Sequence, residues 1–76
     1  MELHDIGWAV RKLQQGEKVH RWGWNGANLY IALMEPSRYT DLEVPYVYIS
    51  TMESLMVPWT CSQSDLLATD WEVRKH

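Results

Sequence analysis

Two stretches decide the fold: Asn28–Met34, which reads NLYIALM, and Tyr46–Met52, which reads YVYISTM. In the first, Leu29, Ile31 and Leu33 alternate with tyrosine, alanine and methionine. In the second, valine and isoleucine alternate with tyrosines and serine. Strict alternation is typical of a strand with one face on a core. Both stretches therefore predict strands of an antiparallel sheet whose second face carries tyrosines and methionines.

A helix is predicted before these strands. Its apolar stripe, flanked by Ala9, consists of four residues at helical spacing: Leu3, Ile6, Val10 and Leu13. Gly16 supplies a stop, since glycine readily ends helices. Trp8 lies off this stripe, so we expect either a half-exposed indole at the edge of the core or a contact between subunits.

The remaining elements are short. Further strands are predicted at Glu17–Arg21, Leu55–Trp59 and Trp71–Val73, with turns at Asn25-Gly26 and Glu53-Ser54. Ser62–Asp65 can cap a short helical turn, Asp65–Ala68. The expected fold is α+β: a single domain over residues 1–76, with one N-terminal helix packed on a small, mostly antiparallel sheet.

Size and composition favour self-association and disfavour several function classes. A chain of 76 residues buries only about 60% of its unfolded surface, so we expect a homo-oligomer, a tetramer or a dimer. The net charge of −3 disfavours DNA or RNA as partners. A single cysteine excludes a disulfide within the chain and fits a reducing cytoplasm. Without a long apolar run or a basic-then-apolar leader, we expect no membrane partner and no secretory signal.

Tryptophan is the unusual residue: five Trp and four Tyr occur without any Phe. Two of the indoles lie in Arg21–Gly26, RWGWNG. Trp22 and Trp24 can form stacking walls, while Arg21 can pair with a phosphate and Asn25 can hydrogen-bond to a base or a sugar. In the alternative interpretation both indoles pack on the helix and Arg21 pairs with an acidic neighbour.

A second candidate stretch runs from Val57 to Trp71. Its polar side chains Ser62, Gln63 and Asp65 lie at a possible helix start, where free backbone N–H groups favour anions. The alternative is a capped turn, with Trp59 and Trp71 in the core.

The residues give little support for catalysis or for a metal site. No spacing links His20 to Cys61, and the cysteine and histidines lack paired zinc-ligand spacing. Asp65 with Asp70 forms a carboxylate pair whose usual meaning is capping and solubility. We therefore expect no enzyme, no metal and no cofactor.

The two stretches together resemble the phage Thoeris anti-defence sponge family of the second type. The first resembles its Arg-x-Gly-Trp-Asn-Gly signature, and Val57–Val73 resembles its closing signature. The likeness extends from Ile6 to Val73. The chain departs from the family pattern in a shortened Glu35–Pro45 segment, in Glu53-Ser54 where Asp-Gly is usual, and in Cys61 where proline is common.

The resemblance implies a homotetrameric sponge that sequesters a cyclic nucleotide immune signal, glycocyclic ADP-ribose, in the host bacterial cytoplasm without cleaving it. Some members also bind cyclic dinucleotides at a distinct site, which the short loop here puts in question. The implied ligand-binding set is Arg21, Trp22, Trp24, Asn25, Asn28, Trp59, Ser62, Gln63 and Asp65. The alternatives are a sponge for CBASS-type cyclic dinucleotides and a structural or interaction subunit that binds no small molecule.

Overall fold

The computed structural model describes residues 3–24, 29–36, 44–51 and 56–74. The elements in chain order are α1 (Ile6–Gln14), β1 (Val19–Arg21), β2 (Tyr30–Met34), β3 (Tyr46–Ser50), β4 (Met56–Pro58), α2 (Gln63–Leu66) and β5 (Trp71–Val73). Each predicted strand is present, most of them trimmed at their ends, and β5 has the predicted bounds. The short helix begins at Gln63 rather than at Asp65, because Ser62 caps it and accepts a hydrogen bond from the Asp65 N–H.

The strands form one sheet in the order β4-β3-β2-β1-β5, and every described pairing is antiparallel. Strands β2, β3 and β4 follow the chain, whereas β5 crosses back to pair with β1 through Val19↔Val73 and Arg21↔Trp71. The α+β prediction is therefore confirmed for one helix on an antiparallel sheet. The last strand lies beside the first, which brings the two candidate stretches together.

One face of the sheet carries the core. Val19, Ile31 and Trp71 are fully buried there beneath α1, which contributes Ala9 and Leu13. The opposite face carries the tyrosines of β2 and β3, in agreement with the alternation of the sequence. Burial of aliphatic and aromatic surface between helix and sheet is the main stabilising contribution to this fold.

The predicted orientation of α1 was wrong. Leu3 precedes the helix and is exposed, Val10 is 41% exposed, and Trp8 is only 7% exposed. Trp8 and Val10 lie at about 100° on either side of Ala9 around the helix, so the core can accept either flank. It accepts the larger indole, which His4 covers by stacking at 3.9 Å between ring centroids.

The predicted turns at Asn25-Gly26 and Glu53-Ser54 lie outside the described residues. None of the helices in the described ranges is long and apolar enough to cross a membrane.

Candidate ligand-binding site

Arg21 joins the two candidate stretches. It ends β1 and faces the same side of the sheet as its cross-strand neighbour Trp71. Its Nε donates to Asp70 Oδ1 at 2.8 Å, and its Nη1 donates to Asp65 Oδ1 at 2.9 Å. Charge-assisted hydrogen bonds of this kind are stronger than neutral ones. The structure thus shows Arg21 paired with acidic neighbours, the alternative that the sequence left open.

Asp65 also holds Trp24. The Oδ1 atom that binds Arg21 accepts a second hydrogen bond, from the indole Nε1 of Trp24 at 3.3 Å. Asp65 reaches this position because Ser62 caps α2 and accepts from the Asp65 N–H at 3.2 Å. Arg21, Trp24 and Asp65 are therefore assembled into one hydrogen-bonded group, with Ser62 fixing the turn behind it.

Asp70 binds the backbone between the two tryptophans. Its Oδ2 accepts from the Gly23 N–H at 3.2 Å, and its carbonyl accepts from the Trp22 N–H at 3.0 Å. The Trp24 N–H closes the turn by donating to the Arg21 carbonyl at 3.1 Å. The segment from Arg21 to Trp24 is consequently held by its own turn and by Asp70 from the far end of the chain.

Trp71 supports two indoles of the predicted set. It is fully buried, and Trp24 and Trp59 both meet it edge to face, at 5.3 Å and 6.0 Å between ring centroids. Edge-to-face pairs are favoured by the ring quadrupoles. Trp24 and Trp59 are half-buried against the core. For Trp59 this agrees with the alternative interpretation, in which it packs in the core. Trp71 is a core residue, as predicted.

Trp22 is the exposed member. Its side chain is 77% exposed, and it lines a shallow hollow of about 260 Å³ with His4, Thr69 and Asp70. Trp24 is not among the described residues that line this hollow. The two indoles therefore differ: one packs on the core, and the other offers a free face beside the Arg21 cluster.

A second, larger hollow of about 520 Å³ is lined by His4, Trp8, His20, Glu72 and Val73. The His4 Nδ1–H donates to the Trp71 carbonyl at 2.8 Å, which ties the segment before α1 to β5. None of the nine predicted ligand-binding residues lines this hollow within the described part of the chain.

The ion pairs set the charge state of the cluster. The hydrogen bond from Arg21 lowers the pKa of Asp70, and the hydrogen bonds to Asp70 and then Asp65 raise the pKa of Arg21. Burial raises the pKa of the half-buried Cys61 thiol, with a smaller contribution from Asp65. Arg21 and Asp70 are therefore both charged at neutral pH, while Cys61 remains a thiol.

The predicted set is thus partly assembled. Arg21, Trp24 and Asp65 are directly linked, Trp59 joins them through Trp71, and Ser62 and Gln63 lie at the start of α2. Asn25 and Asn28 lie outside the described residues.

Sequence reasoning did not assign Asp70 to the site. It named the Asp65–Asp70 pair but interpreted it as a feature of capping and solubility, whereas both carboxylates bind Arg21. The available signal was the arginine that begins one candidate stretch, together with the two aspartates in the other. In the described ranges no cluster of three or more histidine, cysteine or acidic side chains could hold a metal ion.

Comparison with known proteins places this arrangement in context. Residues 4–74 match the model of the Thoeris anti-defense 2-like domain. The chain is also 30% identical over 81 residues to a Bacillus phage SP01 protein named Thoeris anti-defense 2, and the alignment covers 90% of this chain and 91% of the phage protein. The family match spans Arg21, Asp65 and Asp70 and the strands that position them.

Proposed function

Because the chain belongs to the Thoeris anti-defense 2-like family, we propose that it is a phage sponge that binds and sequesters a cyclic nucleotide immune signal, glycocyclic ADP-ribose, and does not cleave it. In this proposal the protein acts in the cytoplasm of the infected bacterium. The observation that carries it is the convergence of the two signature stretches on Asp65, whose Oδ1 accepts hydrogen bonds from both Arg21 and Trp24.

The exposed indole of Trp22 supports a ligand with a flat ring. An exposed indole offers a flat aromatic face, and base–aromatic stacking is worth about 1–3 kcal/mol by alanine substitution. Trp22 lies next to Arg21, and its backbone is fixed by Asp70. An adenine or a similar flat ring can therefore stack on the exposed face of the Trp22 indole.

Charge limits how the cluster can bind phosphates. Two carboxylates face a single guanidinium, whose Nε and Nη1 are both engaged. Arg21, Asp65 and Asp70 together carry a formal charge of −1, which does not attract a diphosphate. In the proposed complex the phosphates therefore need cations other than these three side chains.

Thermal unfolding in the presence of cyclic ADP-ribose isomers and cyclic dinucleotides tests the proposal. A ligand at a thousandfold excess over its Kd stabilises the folded protein by about 4 kcal/mol, which raises Tm by well over ten degrees in a domain of this size. We expect glycocyclic ADP-ribose to give this shift. A response only to cyclic dinucleotides would favour the CBASS alternative, and no response to any compound would favour a structural subunit.

Recovery of the ligand distinguishes a sponge from an enzyme. After incubation and heat denaturation, a sponge releases the ligand intact, and chromatography shows the same amount before and after. A loss of ligand that scales with incubation time would contradict the non-catalytic proposal.

A further inference from the structure

Asp70 contacts three successive residues of the tryptophan segment. Its Oδ1 accepts from Arg21 Nε, its carbonyl from the Trp22 N–H and its Oδ2 from the Gly23 N–H, at 2.8, 3.0 and 3.2 Å. We propose that Asp70 is the positioning residue of the ligand site: it fixes the backbone between Arg21 and Trp24 and so holds the Trp22 indole in place for stacking. This inference rests on the proposed function of the site.

Gly23 leaves room for this contact. A methyl group added at Gly23 would lie 3.4 Å from Asp70 Oδ2, at the short limit of ordinary van der Waals contact. A side chain that extends beyond Cβ would therefore crowd the carboxylate that binds the Gly23 N–H. Gly23 does not have a positive φ, unlike Gly16. Its lack of a side chain therefore serves the approach of Asp70 rather than a left-handed turn.

Asp70 and Asp65 use their oxygens differently. Asp70 needs both carboxylate oxygens as acceptors, because Arg21 Nε donates to one and the Gly23 N–H donates to the other. Asp65 receives Arg21 Nη1 and Trp24 Nε1 on a single oxygen, Oδ1. Asparagine offers one acceptor oxygen and one NH₂ donor. Asn at position 65 can keep both contacts, whereas Asn at position 70 must place an NH₂ group against another donor.

The two substitutions therefore make a matched pair. Asp70→Asn and Asp65→Asn each remove one negative charge beside Arg21, so any difference between them reports on acceptor geometry. We expect Asp70→Asn to weaken glycocyclic ADP-ribose binding by about tenfold or more, since an unpaired donor is costly. Asp65→Asn should weaken binding clearly less. Calorimetry with both variants measures this ratio, and equal affinity of the two variants would overturn the inference.

Amide hydrogen exchange without ligand tests the positioning step by itself. In Asp70→Asn the amides of Trp22 and Gly23 should exchange about tenfold faster after correction for any loss of global stability. The amides of Val19 and Ile31 in the core measure that global loss. In Asp65→Asn the two loop amides should exchange at the wild-type rate. If the wild type binds no nucleotide, the proposed function fails and this exchange experiment still decides whether Asp70 orders the segment.

Gly23→Val provides a second route if Asp70→Asn does not fold. This variant keeps both carboxylates, and its side chain extends beyond the Cβ position that already lies 3.4 Å from Asp70 Oδ2. We expect reduced affinity and faster exchange at residues 22 and 23. Unchanged affinity together with unchanged exchange would overturn the positioning role.

Discussion

Trp71 and Trp22 differ most in burial among the tryptophans, with 0% and 77% of the residue exposed. Trp71→Ala should cost about 3–5 kcal/mol of unfolding free energy, because it leaves a cavity beneath Trp24 and Trp59. Trp22→Ala should change stability by less than about 0.5 kcal/mol and lower ligand affinity by at least about tenfold. Urea unfolding and a binding isotherm of each variant separate the two roles. A destabilised Trp22→Ala protein would place that indole in the core instead.

Asp70 gives stability that depends on pH. Arg21 lowers the pKa of its carboxyl group in the folded protein, whereas an unfolded aspartate titrates near pH 3.9. A lowered pKa contributes stability that is complete above the unfolded pKa and is lost as the pH falls through the folded pKa. The urea midpoint of the wild type should therefore fall as the pH drops below about 4. Asp70→Asn should show a shallower fall in this range, and an equally steep fall would argue against the Arg21 contact.

Residue roles were predictable only in part from the sequence. The RWGWNG stretch identified Arg21 and Trp24, but it left two partners open for Arg21, a phosphate or an acidic side chain. The acids that bind Arg21 lie 44 and 49 residues further along the chain. To choose between a phosphate and an acidic side chain, one had to know that β5 pairs with β1. No local sequence pattern predicts that pairing.

The helix α1 contains one glycine and is followed by another, and the two differ in backbone conformation. Gly16 lies at φ +88°, a conformation that alanine adopts at a cost of roughly 1–2 kcal/mol. Gly7 is inside the helix, and an added methyl would make ordinary contacts at 3.5 Å with Arg11 and Asp5. We expect Gly16→Ala to lower the unfolding free energy and Gly7→Ala to raise it by about 0.4–1 kcal/mol. Chemical denaturation of both variants tests the opposite signs.

Elements were more predictable than their orientation. The alternation in β2 and β3 and the glycine stop of α1 each follow from local chemistry, and the structure contains them. The rotation of α1 about its axis does not follow from local chemistry, because Trp8 and Val10 flank Ala9 symmetrically. The core accepts Trp8, whose large indole is buried beneath the stacked ring of His4. A hydrogen bond to the Trp71 carbonyl, far along the chain, holds His4 there.

At the scale of the whole molecule, we expect a homo-oligomer, most simply a tetramer built from two dimers. The tyrosine face of the sheet has no helix over it among the described elements, and Met56 on the same face at the β4 edge is 61% exposed. Such edges and faces favour pairing with another copy. Light scattering at micromolar concentration should give a multiple of the chain mass, and a monomer would contradict this expectation.

Two lysine substitutions locate the contact surface. Met56→Lys places a charge at the β4 edge and should lower the measured mass. Val10→Lys places the same charge on the exposed flank of α1 and should leave the mass unchanged. Loss of assembly in the second variant alone would move the interface to the helix.

The position of β5 beside β1 also determines when this protein can fold. Trp71 completes the core, and its backbone and the ring of His4 form a hydrogen bond across 67 positions of sequence. Contacts between positions this far apart carry a large cost in loop-closure entropy before they contribute stability. The pairing of β5 with β1 should therefore be a late and slow step of refolding, and the core should stay incomplete until Trp71 reaches it.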